Sequence, residues 1–345
     1  MAFLDIANTH SQTFLGTPKI FLNYPRHSQT HLKQSWKYLV ARHYQTHLKE
    51  RVEEYEFERV NALKVARQRL FYTLPILVGL VCFSYLLFFD APDLALLAFI
   101  FGFSAWVWFV ERSCDVYQES IKSEIFPHIL SFLGDFSFAS EMKFGGPKNY
   151  KDFEILPSYT SESNEDLITG TYKGVQITLF ESELERESGY GKNRSVQTVF
   201  KGIMIKISIN KTFEGKTIVR KDSGAIGNWL KSKTSTLESV RLEDPEFEDE
   251  FEVYSNDQVE ARYLLTPSFM QRLLDLKTTF GGKKIECSFC NESLLMLISI
   301  KRNMFEPGSI HEREDFIDDA KSLLSEMQSI FQIIDTLKLN QNIGL

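Results

Sequence analysis

The densest grouping of side chains able to do chemistry in this chain is Asp257, Glu260, Arg262 and Tyr263, inside the run F-E-V-Y-S-N-D-Q-V-E-A-R-Y-L-L. On a helix, Asp257 and Glu260 share a face at i,i+3, while Arg262 lies off it. A carboxylate pair so placed can act as general acid and base or hold a cation. The competing structural account puts Asp257 in the first helical turn, where a negative charge suits the macrodipole. It pairs Arg262 with the acidic run Glu243, Asp244, Glu246, Glu248, Asp249, Glu250 and Glu252. The structural account carries more weight, because the sequence has no Ser-His-Asp order, Cys-His pair, H-E-x-x-H or Walker motif. No catalytic residue is therefore assigned. Asp257, Glu260, Arg262 and Tyr263 stand as a candidate binding group, and the alternative is a membrane-bound hydrolase or transferase using Asp257, Glu260 and Arg262.

Other reactive types give weaker signals. Cys287 and Cys290 form a C-x-x-C, but the segment K-K-I-E-C-S-F-C-N-E-S-L-L-M-L-I-S-I has the pattern of a hairpin turning at Asn291-Glu292. Residues i and i+3 of a strand point to opposite faces, so these two thiols are expected to pack rather than bind metal. Cys114 lies in a flank where a thiol can be lipidated, and Cys82 lies in an apolar run. His27, His31, His43 and His47 cluster before the first apolar run, yet solvated histidines are the better account. The acidic run lacks the D-x-D-x-D-G spacing of a calcium loop. Gly189-Tyr190-Gly191-Lys192 lacks the strand-to-helix frame of a phosphate loop and is expected at a solvated hairpin tip. No cofactor and no metal are expected.

What must position these residues begins with two uncharged stretches, the 20 residues Leu70 to Phe89 and the 17 residues Leu94 to Val110, parted by Asp90-Ala91-Pro92-Asp93. Twenty helical residues reach about 30 Å, the thickness of a bilayer's hydrocarbon core. The pair is expected to be a transmembrane helical hairpin over 70–110. Arg59, Lys64, Arg67 and Arg69 precede it and Arg112 follows it, whereas the turn has only acidic charges, so both termini are expected in the cytoplasm. Tyr72, Trp106 and Trp108 fall where aromatic belts form. The first 69 residues show no cleavable signal pattern, so the first run is expected to be its own insertion signal.

Charge divides the chain. Residues 1–69 carry 11 Lys/Arg against 6 Asp/Glu, whereas residues 113–345 carry a net charge of −10. A basic arm beside the membrane and an acidic distal domain fit an anionic cytoplasmic leaflet, so membrane lipids are expected partners. Nucleic acid is not, because the large domain lacks a positive footprint.

Residues 1–30 are expected to be a poorly ordered lead-in, 31–69 a basic juxtamembrane helix, and 111–140 an amphipathic connector helix. The connector's apolar face is Ile121, Ile125, Ile129, Leu133 and Phe136, with a bend at Pro127. Beyond Gly145-Gly146-Pro147 the apolar period becomes two, predicting strands around a Lys173-Gly174 turn and a third strand over Thr198 to Asn210. Asp244-Pro245 and Thr266-Pro267 start helices, and Ser255 with Gln258 makes a capping box. The expected fold is an α+β membrane protein: a two-helix transmembrane hairpin, then a mixed cytoplasmic domain over 145–310 of antiparallel strands, an inserted helical pair and a C-terminal helix over 311–345. In that last helix Phe316, Ala320, Leu323, Met327, Ile330, Ile334 and Leu337 make a four-three seam, which serves either a homo-oligomer or packing on the chain's own domain.

V-F-K-G at Val199 to Gly202, F-x-G at Phe213 to Gly215, D-P-x-F-E at Asp244 to Glu248, and F-x-V-Y-S-x-D-Q-V-E-A-R-Y-L-L-T-P-x-F-M from Phe251 to Met270 resemble a bacterial family of uncharacterised proteins, number 3137 in the domain-of-unknown-function series. The resemblance covers roughly residues 60–310. It implies bacterial origin, a transmembrane hairpin in the inner membrane and a cytoplasmic domain, and it implies no activity. The sequence-based reading is thus an anchored binding or scaffold module with an unidentified protein partner.

Overall fold

The computed structural model describes residues 49–87, 92–131, 133–143, 145–189, 194–209, 212–221, 237–281, 284–301, 303–305 and 315–336. Tyr55–Leu345 form one compact unit, and Met1–Glu54 form another. The lead-in over 1–30, the basic helix before residue 49, the four clustered histidines, the tip at 190–193 and the side chain of Cys114 lie outside the described residues.

Helix α1 (Lys49–Leu87) carries the basic segment into the first apolar run without a break, over roughly 58 Å at 1.5 Å per residue. Helix α2 (Pro92–Ser131) does the same for the second run and the segment after Arg112. The two helices touch where charge gives way to apolar sequence. Trp106 Nε1 donates to Thr73 Oγ1 at 2.8 Å, and the Arg69 guanidinium donates to the Phe109 carbonyl at 3.1 Å while lying 5.0 Å over the Phe109 ring. Elsewhere Phe71, Ile76, Leu80 and Phe83 on α1, and Leu96, Leu97 and Phe101 on α2, are exposed. Among the described residues one helix, Glu56–Phe83, is long and apolar enough to cross a membrane, and none of its apolar window is covered by the rest of the protein.

The connector helix expected to reach residue 140 stops at Ser131, and Asp135–Glu141 form strand β1 instead. Gly134, at φ +131°, ends the helical path. In D-F-S-F-A-S-E, Phe136 is buried and Phe138 half-buried between exposed Asp135, Ser137 and Ala139. That alternation is period two, and the three-residue step from Leu133 to Phe136 disguised it as helix.

The other strands are β2 (Ser161–Tyr172), β3 (Val175–Ser188), β4 (Ser195–Ser208), β5 (Thr217–Lys221), β6 (Glu238–Val240), β7 (Phe251–Ser255), β8 (Lys284–Cys290) and β9 (Ser293–Ser299). They make one antiparallel sheet of 9 strands in the order β1-β2-β3-β4-β9-β8-β5-β7-β6. Lys173 (φ 50°) and Gly174 (φ 81°) supply the two left-handed residues that a tight hairpin needs between β2 and β3, and Asn291 (φ 54°) opens the β8–β9 turn. The β8–β9 hairpin is inserted between β4 and β5, so strands far apart in sequence become neighbours.

Both faces of the sheet are covered. A 3-10 helix, Pro147–Phe153, brings Tyr150 and Phe153 onto one face, where with Ile155 they pack among Phe180, Met204, Cys290, Leu295 and Leu297. Helices α3 (Pro245–Glu250), α4 (Gln258–Leu264), α5 (Pro267–Thr279) and α6 (Asp315–Thr336) complete the α+β domain. Phe269 of α5 meets Phe289 at 5.6 Å, and Phe126 of α2 meets Phe305 at 5.9 Å. Leu323, Met327, Ile330 and Ile334 of the expected seam are all buried within the chain, with Leu324, Phe331 and Ile333 widening the stripe. Helix α6 lies on α5 and α2, and Phe331 stacks on Tyr172 with ring centres 4.0 Å apart. Phe316, Ala320 and Leu337 have no described side chains.

Among the described glycines the tightest position is Gly202, where a Cβ would stand 2.0 Å from the Ile298 carbonyl oxygen across the β4–β9 ladder. Gly202→Ala is therefore expected to force these strands apart and cost several kcal/mol, at or above the upper end of ordinary single substitutions, roughly 3–5 kcal/mol. Gly174→Ala meets nothing within 4 Å and should cost only its left-handed strain, about 1 kcal/mol. Thermal melts of the two variants in mild detergent check the ranking; equal shifts would mean that the β4–β9 approach relaxes freely.

Candidate functional site

The four candidate residues sit at the start of α4, but they do not converge on a cleft. Asp257, not Ser255, caps the helix: its Oδ1 accepts from Val259 N and Glu260 N, both at 2.9 Å. Ser255 instead closes β7, where its hydroxyl accepts from Asp257 N at 3.0 Å and meets the Thr217 hydroxyl at 3.0 Å. Glu260 is 8% exposed and turns inward. Its two oxygens accept from Glu214 N at 3.1 Å and Gly215 N at 2.8 Å. Asn256 extends the clasp by accepting from Lys216 N at 2.6 Å. A side chain at residue 215 would collide with this clasp, since a Cβ there would stand 2.8 Å from Asn256 Oδ1 and 3.0 Å from Glu260 Oε2.

Oδ1 of Asp257 and both oxygens of Glu260 are thus engaged with backbone amides. Arg262 departs from its expected partner: it reaches back to the carbonyl and side-chain oxygens of Gln258, both at 3.4 Å, and not to the acidic run. The acidic run makes its own bonds. Glu250 pairs with Lys277 at 2.6 Å, and Glu248 accepts from Leu242 N at 2.6 Å. Tyr263, at 51% exposure, and Val259, at 79%, point outward beside Arg262. The arrangement is a helix-to-loop clasp below an open surface of Val259, Arg262 and Tyr263.

The two thiols of β8 lie on opposite faces, with Cys290 in the cluster under Tyr150 and Cys287 buried on the other side. Burial pushes both above the ordinary thiol value. They are protonated packing residues.

A deeply buried charged cluster that the sequence does not announce lies between α2 and the sheet. Lys122 of α2 donates to Asp166 Oδ2 at 3.0 Å, and both side chains are almost fully buried. Asp166 sits in a β-bulge of β2 at φ 54°. On β3, Glu181 accepts from Met304 N and, at 3.1 Å, from Phe305 N. Burial pushes the Asp166 carboxyl up to about 7, against the pull of Lys122 and with the help of Glu181 and Glu165. Burial also raises Glu181, opposed by its two amide donors. Two signals existed for this cluster. Strict alternation through Val175, Ile177 and Leu179 places Glu181 inward. Lys122, Phe126 and Leu130, all buried, recur every four residues, a row one residue on from the row of Ile121, Ile125 and Ile129 expected as the apolar face. Asp166 itself had none, because a bulge breaks the period.

A family model described as Protein of unknown function (DUF3137) matches residues 198–339. Over those residues the chain is similar to that family. The match begins in β4 and takes in the clasp and α6, so it reaches further toward the C-terminus than the motif resemblance did, while the apolar helices lie outside it. A search of the curated proteins finds no sequence match. Among solved structures, the crystal structure of the mycobacterial trehalose monomycolate transport factor A, TtfA, aligns with a TM-score of 0.34 at 10% identity, over 65% of this chain and 99% of that one. A score that low carries no inference about function.

Two outcomes test this assignment of roles. Glu260→Ala strips two buried amides of their charged acceptor and should destabilise the domain by roughly 2–4 kcal/mol, whereas Arg262→Ala and Tyr263→Ala should stay within about 0.5 kcal/mol. Chemical denaturation in detergent reads this, and an unchanged midpoint for Glu260→Ala would return Glu260 to the list of reactive residues. The second concerns pH. The folded carboxyl of Asp166 binds its proton more tightly than the unfolded one, so its contribution to stability is full below about 4 and is lost as pH rises through 7. The Tm of Asp166→Asn minus that of wild type should therefore climb between pH 4 and pH 8. A flat difference would mean an ordinary carboxyl.

Proposed function

We propose that the chain is a membrane-anchored, non-enzymatic binding or scaffold module of the bacterial inner membrane, with both termini in the cytoplasm. The observation that carries this reading is the continuity of α2, which runs from an exposed apolar stretch into the core of the sheet domain and is fastened there by the Lys122–Asp166 pair. A domain built to diffuse freely has no use for such a helix. Antiparallel contact of α1 and α2 at Thr73–Trp106 and Arg69–Phe109 supports a hairpin, and the position of the basic residues supports termini on the cytoplasmic side. The outward group Val259, Arg262 and Tyr263 is the surface proposed to meet a protein partner, since aromatic and arginine side chains dominate such contacts. The hydrolase or transferase alternative gains no support from a clasp in which Glu260 turns inward onto two backbone amides.

Reporter fusions test the anchoring. A reporter active only outside the cytoplasm should work when inserted at Ala91 and fail at Leu345, and a reporter active only inside should do the reverse. Activity of the inside reporter at both positions, with release of the chain by alkaline extraction, would overturn the reading.

A further inference from the structure

On the outer face of α1, Leu63, Lys64, Arg67, Gln68, Phe71 and Tyr72 line an open groove of about 660 Å³. Most basic residues near this level are already committed: Arg59 to Glu56 at 2.8 Å, Arg69 to the Phe109 carbonyl and ring, and Arg112 to the face of Trp108 at 5.0 Å. Among the described residues Lys64 and Arg67 have no ion-pair partner and no acidic side chain lines the groove. Phe71 and Tyr72, 75% and 70% exposed, continue the same face toward the apolar run, followed by exposed Leu74 and Val78.

We propose that this groove is a binding site for an anionic glycerophospholipid of the cytoplasmic leaflet, its phosphate between Lys64 and Arg67 and an acyl chain along Phe71, Leu74 and Val78. The proposal rests on the anchoring reading above and adds a ligand class to it. Height along the helix supports it. Arg67 and Lys64 precede the uncharged run at Leu70 by three and six residues, which is about 4.5 and 9 Å of helix axis. A headgroup layer is roughly 5–8 Å thick on each side of the hydrocarbon core. The backbone of Arg67 therefore stands within the headgroup layer and that of Lys64 just beyond it, one helical turn below aromatic rings at the depth of the first acyl carbons, and a lysine side chain spans the remaining distance to a phosphate. The Arg69–Phe109 and Arg112–Trp108 contacts mark the same level on the partner helix independently. A protein ligand would leave the long apolar stripe beyond Tyr72 uncovered, whereas a lipid covers it with the same molecule that meets the cations.

The full-length protein in mild detergent is mixed with equal amounts of phosphatidylglycerol and phosphatidylcholine of matched chains, and retained lipid is counted by native mass spectrometry. Wild type should favour phosphatidylglycerol, and Lys64→Gln/Arg67→Gln should lose on the order of 30-fold in that preference, as two cations near an anionic surface imply. Lys64→Arg/Arg67→Lys should keep it, which separates lost charge from a lost fold, and Lys301→Gln, on the sheet domain, should not change it. Equal retention of the two lipids by wild type, or an unchanged preference in the Gln variant, would overturn the site. So would displacement of the lipid by soluble glycerol phosphate as effective as by phosphatidylglycerol, which would mark a free phosphate ligand. Alkaline extraction of wild-type membranes is read in parallel: a chain that stays in the pellet but shows no lipid preference refutes the lipid site alone, and a chain that is released refutes the anchoring.

Discussion

A lysine buried between two acidic strands fixes how this molecule is joined. Taking an ammonium out of water costs several kcal/mol unless a carboxylate meets it in good geometry, and Lys122 finds that geometry only where α2 crosses the bulge at Asp166. The apolar contacts around it, Phe126 with Phe138 at 5.2 Å and with Phe305 at 5.9 Å, tolerate small slides. The ion pair does not. Rotating α2 by one residue, about 100°, would strand Lys122 away from its partner and leave Asp166 and Glu181 facing each other. Glu181 already has two amide donors, so Asp166 is the carboxyl that depends on the helix. The pair acts as a registry key, and with the key in place the axis of α2 is set relative to the sheet.

Motif residues that resemble the family hold close backbone approaches and helix caps. Gly202 ends V-F-K-G because β9 passes too close for any Cβ, and Gly215 ends F-x-G because the Glu260 clasp occupies the space beside it. In D-P-x-F-E, Asp244 caps α3 by accepting from Phe247 N at 3.1 Å, Phe247 is buried, and Glu248 accepts from Leu242 N. In D-Q-V-E-A-R-Y, Asp257 caps and Glu260 clasps. A motif made this way labels a fold.

What could be read beforehand follows from the range of the interactions. The β2–β3 and β8–β9 hairpins were legible, because a two-residue turn with left-handed residues is a local event between two alternating runs. The caps at Asp244 and Thr266 were legible for the same reason. Strands β5, β6 and β7 were not, since Thr217–Lys221 and Phe251–Ser255 are five residues each and Glu238–Val240 only three, and they become strands by pairing with one another. The insertion of β8–β9 between β4 and β5 leaves no local trace. The stripe on α6 was visible as apolar, but whether it met a second copy or its own domain depended on α5 and on Tyr172. At the candidate site the place of Asp257 at the start of its helix was legible and the inward turn of Glu260 was not, because the partners of Glu260 are amides 45 and 46 residues away.

On the proposed anchoring, distance decides how the opposite charges of the two regions coexist. From Val110, the end of the second apolar run, to Lys122, where α2 enters the domain, is twelve residues, about 18 Å of helix. That is roughly two Debye lengths at physiological ionic strength. The domain's net negative charge is therefore largely screened from an anionic leaflet, and attraction to lipid falls to the few cations that stand at its surface. Charge on the domain then bears on what it meets in the cytoplasm, charge on α1 bears on the membrane, and the rigid stretch of α2 keeps the two from interfering.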